Sequence, residues 1–214
     1  MEIKEAAFLQ AYLANPCRVL SIPFWKARNM ELPSGLHVVH EQDFCRESHR
    51  YGTDEPYFRL SHRMEGVGKP DLAGFSVHTA TQADWPAMVS IIARSYEDMQ
   101  MDLDRLADYA ASPVYHPALW ILVRDGNRDE WAGCGIAELD RQIGELALEW
   151  IQVLPEYRRR GVGQLIVREL LYRMVGTARF ATVSGRVDSE SHPEALYRKC
   201  GFEGQDIWHV LRES

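Results

Sequence analysis

The chain has 214 residues, 46% of them apolar and 26% charged. That is the composition of a globular protein able to bury a core without metal or disulfide staples. The formal net charge of -7 excludes a general nucleic-acid binder, which would carry a basic face, and favours cationic partners.

No apolar run approaches the roughly 18 residues of a membrane span. The start, Met1-Glu2-Ile3-Lys4-Glu5, lacks the basic and then apolar pattern of a secretory signal. The expectation is a cytoplasmic protein that contacts neither nucleic acid nor membrane. The cysteines, Cys17, Cys45, Cys134 and Cys200, form no C-x-x-C pair and have no zinc-spaced histidine, so they read as reduced thiols and no metal is expected. His37, His40, His49, His62 and His78 likewise lack metal spacing and read as surface or packing residues.

In chain order, a short helix is expected over 4–14, stopped by Asn15-Pro16. Strand-like pieces follow at 19–25, 36–40 and 57–60, and 65–71 reads as a linker. Residues 1–70 are thus expected to form a partly β extension packed on a main domain of residues 75–214. That domain should begin with a strand at 75–80. Thr81-Gln82-Ala83-Asp84 resembles a capping box, so a helix should follow, burying Met88, Ile91, Ile92 and Tyr96. A second helix covers about 102–111, and strands are expected at 118–124, 131–139 and 145–153. Residues 162–175 form an amphipathic helix with Val162, Leu165, Ile166, Leu170 and Met174 inward and Gly176 as its stop. A strand at 180–187, a short helix at 193–200 and a strand at 207–211 complete the order. Hairpins feeding a strand–helix–strand unit predict an α/β chain with a mixed, mostly antiparallel sheet flanked by helices.

The chemistry concentrates between the strand ending at Val153 and the helix starting at 162. Arg158-Arg159-Arg160-Gly161-Val162-Gly163 places glycines and cations at a helix N-terminus, where unpaired N–H groups and the helix dipole favour phosphate. Taken alone, the hexad fits a phosphate cradle and a solvated basic turn equally well. The Lys-Ser/Thr of a P-loop and the third glycine of a dinucleotide fingerprint are both absent.

Val153-x-Pro155-x-x-Arg158-x-x-Gly161-x-Gly163 resembles the acyl-CoA-binding motif of the GNAT superfamily of N-acetyltransferases, and Leu196-Tyr197-x-Lys199-x-Gly201-Phe202 resembles that superfamily's later L-Y-x-K-x-G-F signature. The resemblance covers about residues 75–214 and implies a GNAT-type fold. It implies acetyl-CoA as cosubstrate and a primary amine as acceptor, joined by direct attack in a ternary complex. It also implies that the main chain of Ile151 and Val153 holds pantetheine, with a nearby N–H stabilising the oxyanion. The amides of Arg159, Arg160, Gly161, Val162, Gly163 and Gln164 would hold the pyrophosphate. Arg158 occupies the motif's fixed position, and the side chains of Arg159 and Arg160 reach phosphate or solvent.

Tyr197 matches the tyrosine that protonates the departing thiolate in many members, and a phenol with a pKa of about 10 is protonated at neutral pH. Glu149, four residues before Val153 and on its face by alternation, stands where some members carry a glutamate general base. Glu145 and Glu138 are weaker candidates. The superfamily often has Asn and Ala where this chain has Glu190 and Pro193, with Ser191 and His192 as neighbours of that position. Cys134 or Cys200 as acyl carriers would need a lowered thiol pKa. A non-catalytic acyl-CoA sensor is the alternative function, a nucleotide binder using the glycine loop is a third, and a homodimer stays open.

Overall fold

The structure is a computed structural model that describes residues 2–44, 51–71, 74–95 and 101–213. Three helices come first: α1 (Glu2–Ala14), α2 (Pro16–Val19) and α3 (Phe24–Asn29). They are followed by β1 (Leu36–His40), β2 (Tyr51–His62), β3 (Phe75–Thr79), α4 (Trp85–Ser95) and α5 (Leu103–Ala111). The remainder is β4 (Trp120–Asp125), β5 (Glu130–Asp140), β6 (Glu145–Val153), α6 (Val162–Arg173), β7 (Phe180–Arg186), α7 (Pro193–Lys199) and β8 (Glu203–Glu213). The architecture is α/β, as expected.

The expected strand at 19–25 is instead helical at both ends. Asn15 accepts a hydrogen bond from the Arg18 amide at 3.1 Å, with Pro16 at the first helical position, and Pro23 precedes the first residue of α3. Proline pre-sets the helical φ and has no N–H to lose at a helix start, so each proline here opens a helical turn where a strand was expected. The strands expected at 57–60 and 207–211 run much further, as β2 and β8. Tyr96 lies outside the described residues.

The chain divides into two compact units, Met64–Ala181 and Met1–Arg63 with Thr182–Ser214. In the first unit the strands run β3-β4-β5-β6, each neighbour antiparallel. Helix α4 starts from a complete capping box in which Asp84 accepts from both the Thr81 amide and the Thr81 hydroxyl at 2.8 Å. It buries Met88, Ile91 and Ile92 and packs on β5 and β6.

Helix α6 buries Val162, Leu165, Ile166, Val167, Leu170 and Leu171. It comes close to β5 because Gly133 and Gly135 present no side chain. A Cβ at Gly135 would lie 2.5 Å from Cγ2 of Ile166. At its far end Arg173 ties α6 down, donating to Thr79 Oγ1 and to the Ala118 carbonyl, both at 2.8 Å.

In the second unit the order is β1-β8-β2-β7. Strand β2, from the N-terminal part of the chain, sits between β8 and β7, its Tyr57 opposite Trp208 and its Phe58 opposite Ile207. Helices α1 to α3 join this unit through Tyr12 and Phe24, whose ring centroids are 5.2 Å apart. Buried Arg59 donates to the Tyr12 hydroxyl, the Ser184 hydroxyl and the Ser21 carbonyl.

Candidate active site

Within Met64–Ala181 the sequence motif becomes a continuous structure. Strand β6 carries a bulge, since Leu148 pairs with Ala137 and Trp150 with Ile136, so that Glu149 has no opposite residue. Such an extra residue bends and twists a strand. From there to the end of the strand, half-exposed Glu149, Ile151 and Val153 alternate with buried Leu148, Trp150 and Gln152.

Pro155 then opens a single 3-10 turn to Tyr157, and Arg158, Arg159 and Arg160 lead into α6. Arg159 takes φ +62 and Gly161 φ +84. The left-handed region is ordinary for glycine, but for arginine it carries strain of about 1–3 kcal/mol, so this turn must be held from outside. The N-cap of α6 is Gly161, with no side-chain cap and no acidic residue in the first turn. A Cβ at Gly161 would meet nothing within 4 Å. The backbone there faces open space, next to N–H groups that lack intrahelical partners. This arrangement can receive an anion.

The three arginines do different things. Arg158 points back onto the protein, its Nη2 donating to the Ser95 carbonyl at 3.2 Å and its Nε to the Val153 carbonyl at 3.4 Å. Arg159 is exposed. Arg160 pairs with Asp125 at 3.0 Å, and its guanidinium lies over the rings of Tyr157 and Phe75, 4.9 and 5.3 Å from their centroids. The Asn127 amide, then Arg160, hold the buried Asp125 carboxyl below the usual carboxylate range. Burial, then the hydrogen bond to Glu130, raises the Tyr157 hydroxyl pKa. None of this clamp had a signature in the sequence. Its one trace is an aspartate opening the β4–β5 turn, a common turn residue.

Within the other unit, Tyr197 lies on α7, which starts at Pro193 after His192 at φ +46. The tyrosine is 7% exposed, and its ring centroid is 6.1 Å from that of Phe58 and 5.8 Å from that of Phe202. Gly201 turns the chain at φ +91 and Phe202 is core. Cys134 and Cys200 are buried, and burial alone pushes the Cys134 thiol far up, the opposite of what an acyl-carrying thiolate needs.

The histidines are engaged with neighbours. His37 pairs with Glu213, His40 with Asp206 and His78 with Ser76, while the His62 ring packs on Phe202; His49 lies outside the described residues. Among the described residues no three metal-ligating side chains are grouped to hold an ion, and no helix is long and apolar enough to cross a membrane.

Residues 116–204 match the family described as the acetyltransferase (GNAT) domain. Among solved structures, the chain is similar to a GCN5-related N-acetyltransferase from Sphaerobacter thermophilus, with a TM-score of 0.70 at 17% identity. That match covers 88% of this chain and 63% of that one. It is also similar to a putative GNAT acetyltransferase from Novosphingobium aromaticivorans, with a TM-score of 0.56 at 14% identity, covering 86% and 70%. Ard1 from Thermoplasma volcanium gives 0.53 at 14%, covering 65% and 97%. At these identities the likeness is one of fold, and the chain spans less than two thirds of the length of the first of these. Sequence comparison with curated proteins gives no match. The matched domain, over residues 116–204, is the one whose superfamily the two motifs resemble, and the fold is like that of these solved GNAT structures.

Proposed function

We propose that this chain is an N-acetyltransferase that moves an acetyl group from acetyl-CoA to a primary amine. The carrying observation is the uncapped start of α6, with Gly161 at φ +84 facing open space. The amides of 159–164 would hold the cofactor's pyrophosphate there. The main chain of Ile151 and Val153, at the C-terminal end of β6, would pair with the pantetheine arm in the manner of an added strand.

The reaction is direct transfer. The amine nitrogen attacks the thioester carbonyl carbon, the oxygen develops charge that a backbone N–H near Val153 stabilises, and the C–S bond then breaks. The amine must shed a proton, which Glu149, placed on a bulge and half-exposed, would accept directly or through water. By its match to the superfamily's later signature, Tyr197 is the candidate donor of a proton to the departing thiolate. Holding the two substrates together contributes the rest.

The test is release of CoA thiol from acetyl-CoA against a broad panel of amines, alongside calorimetric binding of CoA. Turnover with at least one amine supports the reading. CoA binding without turnover on any amine would mean an acyl-CoA sensor, and thermal stabilisation by ATP or NAD but not by CoA would overturn the reading altogether.

A further inference from the structure

Resting on the proposal that α6 receives the cofactor's pyrophosphate, we infer that Asp125 and Arg160 are positioning residues. Together they preform the anion site from the β4–β5 hairpin, and Arg160 is not itself a phosphate ligand.

Arg159 holds φ +62 and the next residue but one, Gly161, holds φ +84. A loop whose middle arginine sits in the left-handed region needs fixed points on either side. Arg158 supplies one on its N-terminal side, through the Val153 and Ser95 carbonyls. Arg160 supplies the other. Its guanidinium is confined at once by an ion pair, at 3.0 Å to Asp125, and by two aromatic faces, Tyr157 and Phe75. A cation so placed gains from both the charge and the ring quadrupoles.

Asp125 is itself fixed. It is 1% exposed, and its other oxygen accepts from the Asn127 amide at 2.9 Å. Tyr157, one face of the sandwich, donates to Glu130 on the opposite side of the same hairpin. The hairpin end therefore grips the loop through Asp125 and Glu130. An arginine that left this cage to reach a phosphate would strand a buried carboxylate. The geometry thus assigns anion recognition to the backbone amides and the exposed Arg159, and loop shape to Asp125 and Arg160.

The test is calorimetric binding of CoA to wild type, D125N, R160M and the double variant, with thermal melting in parallel. D125N removes the charge but keeps an acceptor for Asn127. R160M keeps apolar contact with the two rings, so one variant serves if the other fails to fold. Each single variant is expected to weaken CoA binding about tenfold, with the double variant no weaker than either, because both break one unit. If R160M weakens binding while D125N does not, Arg160 is a direct ligand and the inference falls. It also falls if the single effects multiply, or if melting drops while binding holds. Failure of wild type itself to bind CoA would remove the site's proposed function along with this inference. Wild-type binding with both variants unaffected would remove the inference alone.

Discussion

Arg158 donates to the carbonyl of Ser95, 3.2 Å away, so the fixed arginine of the phosphate-loop motif closes the C-terminal turn of α4. Its second bond, to the Val153 carbonyl, joins the same guanidinium to the last residue of β6. Helix ends leave carbonyls without partners, and a cation is well placed there. The expectation is that Arg158→Ala destabilises the fold by about 1 kcal/mol, the scale of an exposed hydrogen bond from a charged donor. Arg158→Gln should recover part of that loss, since an amide can still donate to one carbonyl. Urea titration of the three proteins, with unchanged slope, is the measurement. Equal midpoints would mean that the side chain faces solvent.

The approach of α6 to β5 is set by an absent side chain. A Cβ at Gly135 would lie 2.5 Å from Cγ2 of Ile166 and 3.2 Å from Cδ1 of Leu170. Gly135→Ala therefore requires the helix to move or Ile166 to change rotamer, at a cost of about 1–3 kcal/mol. If the amides at the start of α6 hold the CoA pyrophosphate as proposed, the same change should weaken CoA binding. Ile166→Val deletes one methyl of the clashing side chain, and Ile166→Ala clears Cγ2 itself. Combining Gly135→Ala with Ile166→Ala should restore part of the lost CoA affinity despite a cavity of its own. Additive losses in the pair would show that the helix is not held off by this contact.

The turn from Val153 to Gly163 and the helix after it were legible in the sequence because their signals are local. Pro155, the arginines and Gly161 lie within a few residues of one another, and the apolar spacing of Val162, Leu165, Ile166 and Leu170 announces the helix that follows. What escaped depends on distant partners. Nothing near residues 51–56, half of them charged or glycine, reveals that they run between β8 and β7, because their partners lie some 150 positions away. The Asp125–Arg160 pair spans 35 residues, and an aspartate in a turn looks the same whether or not it holds an arginine. The bulge at Glu149 came from register, which the apolar pattern of residues 145–153 does not record. Residues 19–25 misled because their apolar content suits a strand, while the prolines that open α2 and α3 decided otherwise.

Tyr197 offers a separation of chemistry from packing. Its ring packs near both Phe58 and Phe202, so Tyr197→Phe keeps the aromatic contacts and removes only the hydroxyl. If that hydroxyl protonates the thiolate, kcat should fall by about 10²–10⁴, while CoA affinity stays within a few-fold and the melting temperature moves little. A pre-steady-state comparison with a good amine substrate checks this. A variant as fast as wild type would relieve Tyr197 of the proton-donor role and leave it as core.

The capping box before α4 should show itself in the acid limb of stability. Asp84 accepts from the Thr81 amide and hydroxyl, and these bonds lower its carboxyl pKa. A carboxylate whose folded pKa is depressed stabilises the fold above its unfolded value. That contribution is lost as pH falls through the lower folded value. Asp84→Asn keeps one acceptor but not the charge, and Thr81→Ala removes the hydroxyl cap at a cost of about 1 kcal/mol. Wild type and Asp84→Asn should therefore differ near neutral pH and converge in acid, below the ordinary carboxylate range. Thr81→Ala loses its hydroxyl cap at every pH and should stay below wild type throughout. Urea midpoints across that range are the readout, and a gap between wild type and Asp84→Asn that persists unchanged into acid would show that the cap acts through something other than the Asp84 charge.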